Sequence, residues 1–302
     1  MNGRTVVPGI FDGVHLGHQF LLRKAKEIAG DTSLTVLTFH PHPHFLLSKE
    51  ASDFLLTTPE EKEELLKSQG VQEVITLNFN EEIRNMTPER FFGEVLVEKL
   101  KGKNIVVGED FRFGKGREGD VEKLIGLGYL NDVKVFVYPP FKLGNEVVKS
   151  EKIRRLLKEG EVRKAREMLG RFYSLRGKVV KGEGLGRKIG YPTANLEIPK
   201  EKLLPAKGIY AVMAKIGGEF LPAVCYIGDS PTLKKGALSC EVHIFGMDKD
   251  ILGKELEVCF VEKIREEKVF PSIEELVRQI EKDVEEAKRI LYTMGGIKRE
   301  VG

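Results

Sequence analysis

Gly9-Ile10-Phe11-Asp12-Gly13-Val14-His15-Leu16-Gly17-His18 follows a short apolar run, Thr5 to Val7, and leads into Leu21, Leu22, Ala25, Ile28 and Ala29, apolar residues at helical spacing. The stretch therefore sits where a strand turns into a helix. Such a turn offers free backbone N–H groups and the positive end of a helix dipole, which suits an anionic group. Gly9, Gly13 and Gly17 let the backbone come close to a ligand. His15 and His18 are three residues apart, so a helical turn places them on one face. Two imidazoles beside phosphate oxygens can donate to charge that develops in phosphoryl or nucleotidyl transfer. The same residues also allow a plain turn with a structural histidine pair, or the beginning of a zinc site, although no cysteine or third ligand stands at conventional spacing. No Gly-Lys-Ser/Thr closes the loop, so it is not a Walker motif.

Strands and helices alternate after this turn. Leu34 to Phe39 reads as a buried strand that runs into His40-Pro41-His42-Pro43-His44. The two prolines exclude regular structure there and predict an extended loop. Its histidines could bind a metal, line a pocket for a planar ring, or simply be solvated. Together with His15 and His18 they make up five of the chain's 6 histidines, a clustering that scattered surface residues would not show. Thr58-Pro59-Glu60-Glu61 opens a helix with a capping threonine and a proline at its first position. A strand follows at Val74 to Leu77, then a helix from Thr87-Pro88 carrying Phe91, Phe92, Val95, Leu96 and Leu100. Further strands are expected at Ile105 to Val107 and Val133 to Val137, and Val148 to Arg154 opens another helix. This order predicts an α/β unit with a parallel sheet covered on both faces and ligands at the carboxyl ends of its strands.

The texture changes after the helix Glu161 to Leu169, which ends at Gly170. Short runs of alternating apolar and polar residues follow: Tyr173 to Val180, Gly208 to Ile216, Phe220 to Ile227, Leu238 to Phe245 and Leu256 to Glu262. They predict an antiparallel β-barrel, with the boundary near Arg171 and hence domains of residues 1–170 and 171–302. A last helix starts at Ser272-Ile273-Glu274-Glu275, and its stripe of Ile273, Leu276, Val277, Ile280, Val284, Ala287 and Leu291 is expected to pack on the barrel. The tail from Gly295 to Gly302 is expected to fray.

Inside the β region lies Gly182-Glu183-Gly184-Leu185-Gly186-Arg187-Lys188-Ile189-Gly190-Tyr191-Pro192-Thr193-Ala194-Asn195. Its glycines are not a dinucleotide fingerprint, because no helix is expected after them and Pro192 opposes one. A flexible basic loop folding over polyphosphate, through Gly184, Gly186, Arg187 and Gly190, is the better reading. The Thr193 hydroxyl and the Asn195 amide oxygen are hard ligands of the kind Mg²⁺ accepts beside phosphate oxygens and water.

Composition bounds the function. The 302 residues suffice for two domains, and 41% hydrophobic with 31% charged residues describe a globular chain. A net charge of only +3 argues against nucleic acid or a membrane as the main partner. No apolar run spans a bilayer and no basic-then-apolar signal opens the chain. The 3 cysteines, Cys225, Cys240 and Cys259, are far apart in sequence and read as reduced thiols of a cytoplasmic protein. No motif speaks to oligomeric state.

As a whole, the Gly9–His18 string resembles the nucleotidyltransferase signature of the bacterial bifunctional riboflavin kinase/FAD synthetases. The Gly182–Asn195 string closely resembles their riboflavin kinase signature. Four further stretches agree. Phe39 to Pro43 is similar to the family's Phe-x-Pro-His-Pro, which places His42 in a nucleotide and flavin cleft. Gly108 to Gly114 matches Gly-x-Asp-Phe-x-Phe-Gly, which implies binding roles for Asp110, Phe113 and Gly114. Ile227-Gly228-Asp229-Ser230-Pro231-Thr232 matches Ile-Gly-x-x-Pro-Thr, although Tyr226 stands where asparagine is usual. Arg265 to Phe270 resembles Arg-x-Glu-x-x-Phe, a segment that contacts flavin.

The resemblance implies two ATP- and Mg²⁺-dependent steps, riboflavin to FMN in the barrel and FMN to FAD in the α/β domain. It makes Glu241 the general base of the first step. It gives Ser150 and Arg154 to ATP phosphates of the second, where Lys149 and Glu151 depart from the family's Ser-Ser-Thr-x-Ile-Arg. Gly9, Phe11, Asp12 and Gly13 would line the same site as His15 and His18. A cytidylyltransferase-like enzyme with an accessory barrel, and an RNA-binding protein using the barrel and basic loop, are the other readings.

Overall fold

The computed structural model describes residues 3–47, 53–182, 184–229, 238–247 and 249–293. Glu183, the Ser230-Pro231-Thr232 segment and the tail from Gly295 lie outside the described residues. The chain forms two compact units, Met1–Ala51 with Leu55–Ser150 and Ser52–Phe54 with Glu151–Gly302.

The first unit runs β1 (Arg4–Pro8), α1 (Leu16–Ala29), β2 (Ser33–His40), α2 (Pro43–Leu47), α3 (Pro59–Ser68), β3 (Glu73–Asn78), α4 (Glu81–Asn85) and α5 (Pro88–Arg90). A π-helix, Phe91–Lys99, continues α5 and is followed by β4 (Gly102–Gly108), α6 (Val121–Leu130), β5 (Lys134–Tyr138) and a small hairpin of β6 (Lys142–Leu143) and β7 (Glu146–Val147). The sheet order is β3-β2-β1-β4-β5, parallel throughout. Successive side chains point to opposite faces, so β1 sends Val6 to one core and Val7 to the other, and β4 divides Ile105 and Val107 from Val106 in the same way. The Val7 face packs on Leu22, Ala25 and Ala29 of α1, and the Val6 face on Phe91, Phe92, Val95 and Leu96. Strand order reverses between β1 and β4, which makes the crevice beyond their carboxyl ends the place for a ligand.

Two local expectations are corrected. Pro43 does not exclude helix: it begins α2, where its fixed φ and missing N–H cost nothing, with the His42 ring accepting the His44 N–H at 3.0 Å. The helix expected from Thr87 does start there, capped by the Thr87 hydroxyl, but passes into π geometry at Phe91, and Phe91, Phe92, Val95 and Leu96 are all buried.

The second unit contains α7 (Ser150–Lys158, from its second residue), α8 (Val162–Leu169), β8 (Tyr173–Val180), α9 (Leu185–Lys188), β9 (Ala194–Glu197), β10 (Gly208–Ile216), β11 (Glu219–Asp229), β12 (Leu238–Ile244), β13 (Glu255–Arg265) and α10 (Ile273–Thr293). The sequence put a boundary near Arg171; by packing, α7 and α8 go with the barrel unit, α8 lying on β8 and β13. The strands close in the order β10-β11-β12-β9-β8-β13 and leave no edge. β10 is buried on both faces: Tyr210, Val212 and Ala214 on one, Ala211 and Met213 on the other beneath Val284, Ala287 and Leu291 of α10. The expected stripe of α10 thus divides. Its second half packs on the barrel, whereas Ile273 is 58% exposed and, with Leu276 and Ile280, lines a cavity. α9 is also a correction: a single helical turn fits between Gly184 and Pro192, where none was expected.

The thiols of Cys225 and Cys240, on β11 and β12, lie 3.6 Å apart, so residues distant in sequence are neighbours in space. Burial holds the Cys225 thiol well above its ordinary pKa and pushes Cys259 up to about 12. No described helix is long and apolar enough to cross a membrane.

Candidate active sites

In the first unit the loop after β1 is held in a conformation few residues adopt. Phe11, Gly13 and Val14 have φ of 56°, 82° and 37°. The surroundings hold it there. Asp12 is buried, and its carboxylate accepts the N–H groups of Leu56 at 2.9 Å and Thr57 at 3.1 Å and the Thr57 hydroxyl at 3.3 Å. The Gly13 N–H donates to Thr57 Oγ1 at 3.1 Å. Alternate carbonyls are tied by side chains: Ile10 by the Thr38 hydroxyl, Asp12 by the Ser150 hydroxyl and Val14 by the Gln19 amide, each at 2.9 Å. Lys62, from α3, donates to Thr38 Oγ1 at 3.1 Å and to the Ile10 carbonyl at 3.4 Å. Burial lowers its pKa, partly offset by the Asp12 charge.

The loop delivers His15 to the N-cap of α1, where Nδ1 accepts the His18 N–H at 3.3 Å. That bond leaves a neutral His15 with its proton on Nε2, a donor. The His15 and His18 rings stack with centroids 3.6 Å apart, and the Phe11 ring lies 5.0 Å from His18. Among the described residues, no group of three or more His, Cys, Asp or Glu side chains is placed to hold a metal ion.

Several expected ligand-contacting side chains are engaged elsewhere. Phe11 is buried in the α1-side core. Phe113 is buried in the other core and pairs by backbone with Gly119, and Gly114, at φ 73°, takes a bend where a Cβ would strike Pro88. Asp110 is exposed and 3.8 Å from Lys149. Gly9 follows β1 with its N–H on the Leu37 carbonyl at 2.9 Å. Arg154 belongs to the second unit, where it donates to the Phe54 carbonyl at 2.8 Å and lies over the Phe54 ring. Lys62 and Thr57 were not singled out in the sequence, because one lysine in Pro59–Ser68 looks like any other.

The second site is a rung of the barrel. Register aligns Arg265, Ile209, Tyr226, Glu241 and Asn195 across β13, β10, β11, β12 and β9. Directly opposed residues share a sheet face, and all five line one cavity of about 660 Å³. Thr193 is beside them, its hydroxyl donating to Glu241 Oε2 at 3.3 Å. Gly184, Gly186, Ile189 and Tyr191 of the basic loop form one wall, and Phe270, Leu276 and Ile280 another. Arg187 and Gly190 are outside this lining; they shape the turn, with the Gly190 N–H on the Arg187 carbonyl at 3.4 Å and φ 89° at Gly190. Arg265 faces the cavity, but its guanidinium is clamped by Asp283 of α10 at 2.6 to 3.1 Å, a pair 14% and 5% exposed. It thereby fixes α10 and lies 5.7 Å from the Phe270 ring. Phe270, which the resemblance placed in a flavin-contacting segment, does line the cavity. Asp283 and the apolar wall from α10 were missed by the sequence reading, which gave that helix stripe to packing.

A family model described as FAD synthetase matches residues 1–152, and one described as riboflavin kinase matches residues 169–291. The chain is 36% identical over 291 residues to a bifunctional riboflavin kinase/FMN adenylyltransferase of Listeria monocytogenes, covering 94% of this chain and 91% of that one. A Bacillus subtilis protein of the same description is 35% identical over 291 residues, covering 93% and 90%. A crystal structure described as a macrolide-efflux protein from Streptococcus pneumoniae matches with TM-score 0.87 and 32% identity over 95% of each chain. With both family models matched in order and relatives aligned over nearly their whole length, the chain belongs to the bifunctional riboflavin kinase/FMN adenylyltransferase family.

Proposed function

We propose that the chain carries the family's two activities at the two sites just described, residues 1–170 serving FMN adenylylation and 171–302 riboflavin phosphorylation. The kinase assignment rests on one observation, the rung that puts Glu241, Asn195 and the Thr193 hydroxyl together in a cavity with an aromatic and aliphatic wall. Glu241 takes the proton of the riboflavin 5′-hydroxyl as that oxygen bonds to the γ-phosphorus of ATP and the bond to the β-phosphate oxygen breaks, releasing ADP. Thr193 and Asn195 present hydroxyl and amide oxygens, a hard donor set that fits Mg²⁺ with phosphate oxygens and water completing its shell. The ion would neutralise phosphate charge. Gly184, Gly186, Arg187 and Gly190 shape the loop over the phosphates, and Arg265 holds Phe270 and α10 where they wall the flavin.

At the first site, a phosphate oxygen of FMN attacks the α-phosphorus of ATP and pyrophosphate leaves. The His15 Nε2–H and the His18 ring stabilise the charge that develops, at the N-terminus of α1. Gly9 and Gly13 give the backbone its close approach. Asp12, Phe11, Phe113, Gly114 and Ser150 act by fixing the loops, while His42 and Asp110 supply contacts at the rim. With a net charge of +3 and buried thiols, the setting is the cytoplasm and the partners are small molecules, not nucleic acid. The experiment is incubation with riboflavin, ATP and Mg²⁺ followed by separation of FMN from FAD. Absence of both products ends the reading.

A further inference from the structure

Tyr226 is the member of the barrel rung that stands where the resembled pattern has asparagine. Its ring lies back along β11 over Gly228, two residues on and on the same strand face. Only glycine leaves that room, since a Cβ at 228 would collide with the phenol oxygen. The hydroxyl then donates to Glu267. Glu267 lies in the connection from β13 to α10, which carries Phe270 to the cavity wall. Arg265 already fixes the start of this connection through the Glu266 carbonyl at 2.9 Å. Tyr226 fixes it one residue further on. Burial and the carboxylates of Glu267, Glu241 and Asp229 keep the phenol protonated at neutral pH, so it remains a donor.

We infer that Tyr226 is a positioning residue for riboflavin, locking the Glu267 carboxylate and the Phe270 connection against the cavity before the flavin arrives. The inference rests on the kinase assignment of the barrel cavity. A polyhydroxyl chain attached to a flat ring is recognised by a fixed carboxylate and a fixed aromatic wall. Both are ordered here by one bond, which removes an ordering cost from binding. Phosphoryl transfer itself does not use the phenol.

The test is steady-state kinetics of both reactions with the full chain. Tyr226→Phe keeps the ring and removes the bond. A hydrogen bond to a charged group corresponds to roughly tenfold or more in affinity, so the riboflavin KM should rise about tenfold, with kcat, ATP KM and FMN-to-FAD conversion at wild-type values. Glu267→Ala should raise the riboflavin KM too, and adding Tyr226→Phe to it should change nothing more. An unchanged riboflavin KM in Tyr226→Phe, a fall in kcat alone, or additive effects in the double variant overturns the inference. A Glu241→Gln protein that still makes FMN at the wild-type rate overturns the site assignment instead, so the two failures are distinguishable.

Discussion

The two units use their polar residues in opposite ways. In the α/β unit, Asp12, Ser150, Thr38 and Thr57 bond to the chain's own loop and build a backbone shape. In the barrel, Thr193, Asn195 and Glu241 stand on one face and turn side chains into a cavity. A strand displays every second side chain for nothing, because the ladder has already satisfied its backbone. A strand-to-helix turn has no ladder, so its polar residues are spent on holding an unusual backbone, and in the proposed mechanism the chemistry falls to N–H groups and two histidines. A motif residue such as Asp12 can therefore be indispensable through the backbone shape it holds, without facing a cavity.

The largest expected effect lies in the barrel. Glu241→Gln should lower FMN formation by about 10²–10⁴, the usual contribution of a general base, and leave FMN-to-FAD conversion intact. Assaying each step separately checks this, and loss of both in a folded variant would break the division into two sites. His18→Ala should lower adenylylation by about 10²–10³, as for one transition-state donor, with FMN formation unchanged; an unaltered adenylylation rate would remove His18 from the mechanism.

Asp12→Ala sharpens the contrast. It leaves buried donors of Leu56 and Thr57 without their acceptor, which should cost about 2–4 kcal/mol of stability in the first unit. Thermal unfolding should show that loss while the kinase rate holds. A normally stable variant with a raised ATP KM would mean that the carboxylate faces ligand and that the two units are alike after all. The smallest effect belongs to Glu151, an exposed acid in the first turn of α7. Replacing it by threonine removes a negative charge and should lower the ATP KM of FAD synthesis about two- to fivefold, the size of a helix-end charge effect. An unchanged or higher KM would show that this residue does not oppose phosphate.

Both architectures were legible because their periodicities are clean. Val6 and Val7 part to two cores, and the run Tyr210 to Ala214 is apolar because α10 covers the outer side of a strand already packed within. β9 was hidden: four residues after Pro192 carry too little pattern, and only pairing with β12 reveals them as strand. Lys62 and Asp283 were hidden for another reason. Each is a charged residue on a helix rich in charge, and nothing local says that Lys62 meets the Ile10 carbonyl or that Asp283 meets Arg265. Such roles are made by long-range packing.

All 3 cysteines lie in the barrel, on β11, β12 and β13, and all are buried. A thiol reagent added to the native protein is therefore a clock for one unit alone. Labelling requires the barrel wall to open, so its rate, referred to that of an exposed thiol, measures the free energy of that opening. Opening of the α/β unit by itself exposes no thiol and leaves this signal silent. Riboflavin or nucleotide held in the barrel cavity should slow the clock in proportion to occupancy, so occupancy of the barrel can be followed without turnover and without adding a probe to the chain.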